Sequence, residues 1–187
     1  MTSRALGIAL RAGALSLALP APTVALVQQV TTPALAGADL LATLRAGGHI
    51  LYFRHPGGRA CAVGEAIRAL GVPIGAVLAS PLCRTVETAR LAFGTAQKSA
   101  AVREAGPLPP GSPGRFPVLR ALLSTPVAPG TNTIVVGHAY PYYTLVGGRY
   151  LSEGEADAVR PRGANFEVVA RVDLEQSRAL AAGAAGR

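Results

Sequence analysis

The segment Val77–Thr88 reads VLASPLCRTVET, an apolar run that ends in a serine and a proline and continues into a helical pattern. A short apolar run bounded by a turn is typical of a buried strand. Ser80 and Pro81 make a favourable helix start, because a serine side chain can cap free N–H groups and proline lacks the N–H that the first helical position leaves unused. The segment therefore predicts a strand followed by a helix that runs to about Phe93.

Two other apolar runs also stop at polar residues. The sequence LYFRH occupies 51–55, and IVVGH occupies 134–138. The chain has only three histidines, and two of them stand at these positions. The ends of the predicted strands are therefore the first place to look for chemistry.

Helical spacing of apolar residues separates these runs, which sets the predicted fold class. We predict a first short helix that Asp39 caps and Gly47-Gly48 stops, and further short helices from Ala62 to Leu70 and from Phe116 to Leu123. A long Pro-rich loop over 97–114 and two more strands at 155–160 and 166–172 are also predicted. Strands that alternate with helices are typical of a mainly parallel sheet with helices on both faces. The prediction is an α/β three-layer sandwich.

In such sheets, ligands bind outside the carboxyl ends of the strands, so Arg54, His55, Arg84 and His138 are expected to share one pocket. Arginine presents a fork of donors that matches phosphate oxygens, and a neutral imidazole can attack phosphorus to form a phosphohistidine. We interpret His55 as the nucleophile and His138 as its electrostatic partner. Taken singly, each residue also has a structural interpretation, pairing with an acid or a carbonyl, and that is the interpretation we give to His49.

Three segments together resemble a known family. LYFRH at 51–55, ASPLCRTVETA at 79–89 and VGH at 136–138 are similar to the three motifs of the histidine phosphatase superfamily, also called phosphoglycerate mutase-like. The second motif is the most specific because it is long, and the resemblance extends from about residue 40 to residue 172.

The resemblance implies the three-layer α/β fold of that family and a phosphohistidine formed at His55. It also implies that Arg54 and Arg84 bind the phosphoryl group and that His138 completes the pocket. Exported proteins of this type are usually described as phosphatases of unassigned substrate. A small phosphorylated substrate is therefore expected, and a mutase is disfavoured.

Several positions depart from the family pattern. Pro56 replaces the small residue that usually follows the first histidine, and the segment 57–63 is short, with Arg59 as a substitute phosphate ligand. The leaving alcohol needs a proton, and no acid follows His138, so Glu104 is the candidate donor. These departures support an alternative: a catalytically impaired module that binds a phosphate ligand.

The chain divides into three predicted parts. Residues 1–36 contain no acid, carry two arginines near the front, and end in the small-x-small pattern Ala34-Leu35-Ala36, which is typical of a cleaved secretory signal. We expect export to the periplasm or secretion, with no stable membrane insertion after cleavage, since two prolines interrupt the apolar run. The phosphatase-like domain would span 37–176, and 177–187 would be a disordered tail.

Composition and spacing argue against several other functions. The net charge is +8, but the arginines are scattered, so nucleic-acid binding is not predicted. The histidines lack metal-ligand spacing and no G-x-S-x-G is present, so neither a metal site, nor another cofactor, nor a serine hydrolase is expected. A disulfide between Cys61 and Cys83 stays open, as does the oligomeric state.

Overall fold

A six-stranded sheet forms the centre of the protein in a computed structural model that describes residues 34–103 and 116–185. The strand order across the sheet is β3-β2-β4-β1-β5-β6. The strands are β1 Ile50–Arg54, β2 Ile74–Ala79, β3 Gln97–Lys98, β4 Asn132–Gly137, β5 Ala156–Pro161 and β6 Phe166–Val172.

The four strands from β3 to β1 pair in parallel, whereas β5 pairs antiparallel with both of its neighbours. Strand β4 lies between β1 and β2, so the carboxyl ends of these three strands meet at one edge. In the observed register, Arg54 pairs with Gly137 and Ala79 pairs with Val136. The polar residues that follow the three strands therefore emerge side by side.

Helices cover both faces of the sheet, as predicted. They are α1 Gly37–Ala46, α2 Ala60–Ala69, α3 Cys83–Phe93, α4 Pro117–Ser124, α5 Ala139–Val146 and α6 Leu174–Ala185. Successive side chains of a strand point to opposite faces, so Leu51 and Phe53 pack with α1, α2, α3 and α6, while Ile50 and Tyr52 pack with α4 and α5. The α/β three-layer sandwich with a mainly parallel sheet is confirmed.

Two helix starts differ from the prediction. Helix α1 begins at Gly37 with Ala36 at the N-cap position, and Asp39 lies inside the first turn. Helix α3 begins at Cys83 with Leu82 at the N-cap position and no capping side chain. Ser80 does not cap α3, because its hydroxyl has a different partner at the edge of the sheet.

The disordered tail expected from residue 177 is corrected, because helix α6 runs from Leu174 to Ala185. The side chain of Asp173 accepts the N–H of Gln176 at 2.8 Å, and the side chain of Gln176 accepts the N–H of Asp173 at 3.2 Å. This reciprocal arrangement is a capping box. Leu180 and Ala181 then pack against the core, which offsets the entropy cost of ordering the segment.

Candidate active site

Two histidines follow neighbouring strands and face each other. His55 comes directly after β1 and His138 directly after β4, and the N–H of His55 donates to the carbonyl of Gly137 at 3.2 Å. The centroids of the two imidazole rings lie 5.7 Å apart, with an angle of 70° between the ring planes. The two histidines are thus close enough for one small ligand to contact both.

The imidazole of His138 is buried and held on both nitrogens. Its Nδ1 lies 3.2 Å from Nη2 of Arg84, and its Nε2 lies 2.9 Å from Oγ of Ser80. Because arginine only donates, Nδ1 must accept, so the network assigns the proton to Nε2, which donates to the serine hydroxyl. Arg84 and His138 are therefore brought together as predicted, and Ser80 joins them.

The role of Ser80 was missed because a serine before a proline also fits a helix cap. Its side chain is fully buried, and its N–H donates to the carbonyl of Val136 at 3.0 Å. Ser80 directly follows strand β2, so the end of this strand positions the hydroxyl next to the imidazole of His138. The helix that follows starts without a side-chain cap, which leaves Ser80 free for this contact.

The backbone of His138 is fixed by a buried tyrosine. The hydroxyl of Tyr52 donates to the carbonyl of His138 at 3.0 Å and accepts the N–H of the same residue at 3.1 Å. A Cβ at Gly137 would lie 2.2 Å from that hydroxyl, so the close approach requires glycine. A tyrosine inside a strand indicates that its hydroxyl needs a hydrogen-bond partner, but this partner lies 86 positions away in sequence.

Tyr52 in turn packs against a second buried tyrosine, Tyr142. The rings of Tyr52 and Tyr142 stack with centroids 4.2 Å apart. Burial raises the pKa of Tyr142 well above its usual value, and the charge of Asp157 adds to the effect. Asp157 is fully buried and accepts hydrogen bonds from Arg171 at 2.6 and 2.8 Å. This tyrosine of α5 is therefore part of the buried core.

Arg54 is held by the segment that precedes β5. Its Nη1 donates to the carbonyl of Leu151 at 3.0 Å, and its Nη2 lies 3.5 Å from Oε1 of Glu153. Arg59 reaches the same segment, because its Nη2 donates to the carbonyl of Glu153 at 2.7 Å. Both arginines therefore contact this loop, and their binding of substrate stays a prediction.

The same loop contains an ion pair between Arg149 and Glu155. The carboxylate of Glu155 accepts from Arg149, with one contact of 2.7 Å, and from the N–H of Ser152 at 2.8 Å. Partial burial would raise the pKa of Glu155, but these hydrogen bonds outweigh it and lower the pKa below its usual value. The carboxylate therefore stays ionised and holds the loop in shape.

The remaining predicted residues lie elsewhere. Glu104 is outside the described residues. Cys61 and Cys83 are both free and exposed. Within 34–103 and 116–185, no group of three histidine, cysteine or acidic side chains is arranged to hold a metal ion.

The third histidine lies at the opposite end of β1. Nδ1 of His49 is 2.9 Å from the carbonyl of Gly47, and Nε of Arg160 donates to its Nε2 at 3.3 Å. Burial lowers the pKa of His49, and the charges of Arg160 and Arg162 lower it further, against the bond to Gly47. These contacts fit the structural role predicted for it.

The described helices contain no stretch that is both long and apolar enough to span a bilayer. The segment predicted to be an export signal lies almost entirely outside the described residues, so its role stays a prediction.

No family model matches the sequence, and no curated protein matches it either. Among solved structures, the chain is similar to YhfR of Bacillus stearothermophilus, at 16% identity and a TM-score of 0.47 over 69% of this chain and 98% of that one. It is similar to a phosphoglycerate mutase from Plasmodium falciparum, at 13% identity and a TM-score of 0.47 over 66% and 86% of the two chains. It is also similar to the protein histidine phosphatase SixA complexed with tungstate, at 16% identity and a TM-score of 0.49 over 67% and 97%. At such low identity these similarities say nothing about activity, which has to be inferred from the residues of this chain.

Proposed function

We propose that this protein is a phosphatase of the histidine phosphatase superfamily that hydrolyses a small phosphate monoester through a phosphohistidine at His55. One observation carries the proposal. The rings of His55 and His138 lie 5.7 Å apart at the carboxyl ends of two parallel strands, and a guanidinium contacts the second ring. A nucleophile and a set of cationic donors are the parts that phosphoryl transfer requires.

The reaction follows from the chemistry of these groups. A neutral imidazole nitrogen of His55 attacks phosphorus, so that a P–N bond forms as the P–O bond to the alcohol breaks. Water then attacks the phosphohistidine, forming a new P–O bond as the P–N bond breaks, and phosphate leaves. Arg84 donates to the phosphoryl oxygens, where negative charge is concentrated during transfer, and His138 helps to hold that guanidinium in place through Nδ1.

The helices add to the positive potential of the site. Helix α3 begins at Cys83, and helix α5 begins at Ala139, directly after the second histidine. The N-terminus of a helix carries partial positive charge and free N–H groups, which favours anions by about 0.3–1 kcal/mol at a partly exposed position. Both helix starts lie at the edge of the sheet where the histidines meet, which supports an anionic substrate.

The alternative is a module that binds a phosphate ligand without turnover. Pro56 directly follows the proposed nucleophile, and Arg54 contacts Glu153 rather than the histidine rings. If Arg54 does not reach the phosphoryl group, binding remains but the transition state loses one of its two guanidinium partners. Turnover separates this alternative from the phosphatase.

Hydrolysis of 4-nitrophenyl phosphate tests the proposal. We expect turnover that is abolished by His55→Ala, together with acid-labile labelling by a radioactive phosphate ester at His55 alone. Arg84→Ala should lower kcat/KM by at least about tenfold, because a charge-assisted donor contributes about 1.5–3 kcal/mol and this residue also holds the second ring. Arg90→Ala, in the last turn of the same helix, is the matched control and should leave activity unchanged. Phosphate binding without turnover would favour the binding module, and label on a serine or aspartate would contradict the mechanism.

A further inference from the structure

A carboxylate lies beside the residues that flank His55. Oε1 of Glu153 is 3.5 Å from the guanidinium of Arg54, the residue directly before that histidine. Its Oε2 lies 3.1 Å from the point that a Cβ at Gly57 would occupy, two residues after the histidine. The carboxylate therefore lies close to residues on both sides of the proposed nucleophile.

The backbone of this acid is anchored. The N–H of Gly154 donates to the carbonyl of Arg54 at 3.2 Å, and the carbonyl of Glu153 accepts from Arg59 at 2.7 Å. The neighbouring Glu155 is tied to Arg149 and to the backbone of its own loop. These bonds hold the backbone from which the side chain of Glu153 extends.

The carboxylate nevertheless remains open to a ligand. Its side chain is 48% exposed, against 6% for the side chain of Glu155, which accepts hydrogen bonds from Arg149 and from the N–H of Ser152. The separation of 3.5 Å from Arg54 is also longer than a strong charge-assisted hydrogen bond. Of the two acids in this loop, only Glu153 combines an anchored backbone with an accessible carboxyl group.

We propose that Glu153 is the general acid of the reaction, the residue that protonates the leaving alcohol; this rests on the proposed phosphatase function. As the nitrogen of His55 bonds to phosphorus and the P–O bond breaks, the carboxyl group of Glu153 gives its proton to the departing oxygen. In the second step, the carboxylate takes a proton from the water whose oxygen bonds to phosphorus as the P–N bond breaks. The acid is thereby restored. Glu104, the donor expected from the sequence, is then not needed for this step.

The bound substrate changes what Glu153 contacts. A phosphoryl group at Arg54 brings negative charge next to the carboxylate. The same charge competes with Glu153 for the guanidinium, so the carboxyl group is released from Arg54 at the moment when it has to act. The contact with Arg54 and the role as proton donor therefore belong to different stages of one cycle.

Leaving-group dependence tests the proposal, because a poor leaving group needs the proton and a good one does not. Glutamine keeps the size of Glu153 and an oxygen acceptor for Arg54 but has no carboxyl proton. We expect Glu153→Gln to lower kcat/KM for glycerol 2-phosphate, an alkyl ester, by about a hundredfold or more. For 4-nitrophenyl phosphate the loss should stay below about fivefold, since the nitrophenolate leaves unaided.

Two further variants complete the test. Glu65→Gln removes an exposed carboxylate from the middle of α2 and is the matched control, with no expected change on either ester. Glu104→Gln is the competitor, and a selective loss on the alkyl ester in that variant alone would overturn the proposal.

The remaining outcomes are also decisive. An equal loss on both esters in Glu153→Gln would make the residue structural, and no loss, or a lower KM for both, would make it only a competitor of phosphate for Arg54. A native protein that hydrolyses the nitrophenyl ester but not the alkyl ester has no working acid, which contradicts the inference while the proposed function stands. A native protein that hydrolyses neither ester refutes the proposed function itself.

Discussion

Replacing Tyr52 by phenylalanine removes one oxygen atom and tests how the second histidine is held. The hydroxyl is fully buried and bonds to both the N–H and the carbonyl of His138. Phenylalanine keeps the ring and its stacking on Tyr142, so the substitution isolates the two hydrogen bonds. Both backbone groups would be left without their partner in a buried position.

The size of the effect follows from these two groups. A buried polar group without a partner costs about 1–3 kcal/mol, so the two groups together lead us to expect that Tyr52→Phe lowers the free energy of unfolding by about 2–6 kcal/mol. Domains of this size are stable by about 5–15 kcal/mol, so the loss is a large fraction of the total. The melting temperature should fall by about 2–4 °C for each kcal/mol.

The stacked neighbour provides the control. Tyr142 is equally buried, but within the described residues its hydroxyl has no hydrogen-bond partner. Tyr142→Phe should therefore change the free energy of unfolding by less than about 1 kcal/mol. Urea unfolding of both variants measures the difference. If the two variants agree to within about 0.5 kcal/mol, the hydrogen bonds of Tyr52 do not hold His138 and the reasoning fails.

Three other substitutions probe separate features. Ser80→Ala removes the acceptor of the His138 ring proton and should lower kcat about tenfold to a hundredfold, by the cost of one unpaired buried donor; an unchanged kcat in steady-state assays would show that the ring needs no such support. Because burial lowers the pKa of His49 below 6.5, the unfolded chain takes up its proton first, so the free energy of unfolding should fall as pH drops below about 6.5, with a slope of at most about 1.4 kcal/mol per pH unit. His49→Gln should flatten that part of the stability profile, and an identical profile would contradict it. Asp173→Ala removes half of the capping box with Gln176 and should destabilise α6 by about 1 kcal/mol, seen as faster amide exchange in that helix alone; uniform exchange rates would argue against the cap.

Local sequence patterns predict most of the fold. The apolar runs that became β1, β2 and β4 were recognisable because a buried strand needs several consecutive apolar residues, and the intervening helices repeat apolar residues at the spacing of one helical turn. The rule that ligands bind at the carboxyl ends of parallel strands then predicts that His55 and His138 lie close together. The ring distance of 5.7 Å agrees with that expectation.

Other features depend on contacts between residues that are far apart in the sequence, which no local pattern predicts. Ser80 meets the second histidine across 58 positions of sequence, and Tyr52 meets it across 86. Glu153 reaches Arg54 from a loop whose glycines and acids look like those of any surface turn. A hydrogen bond depends on where two atoms lie in space, and periodicity reports only which face a residue occupies. The sequence alone therefore determined the layers and the edge where the histidines meet, while only the packed structure decided which side chains support His138 and which acid lies beside Arg54.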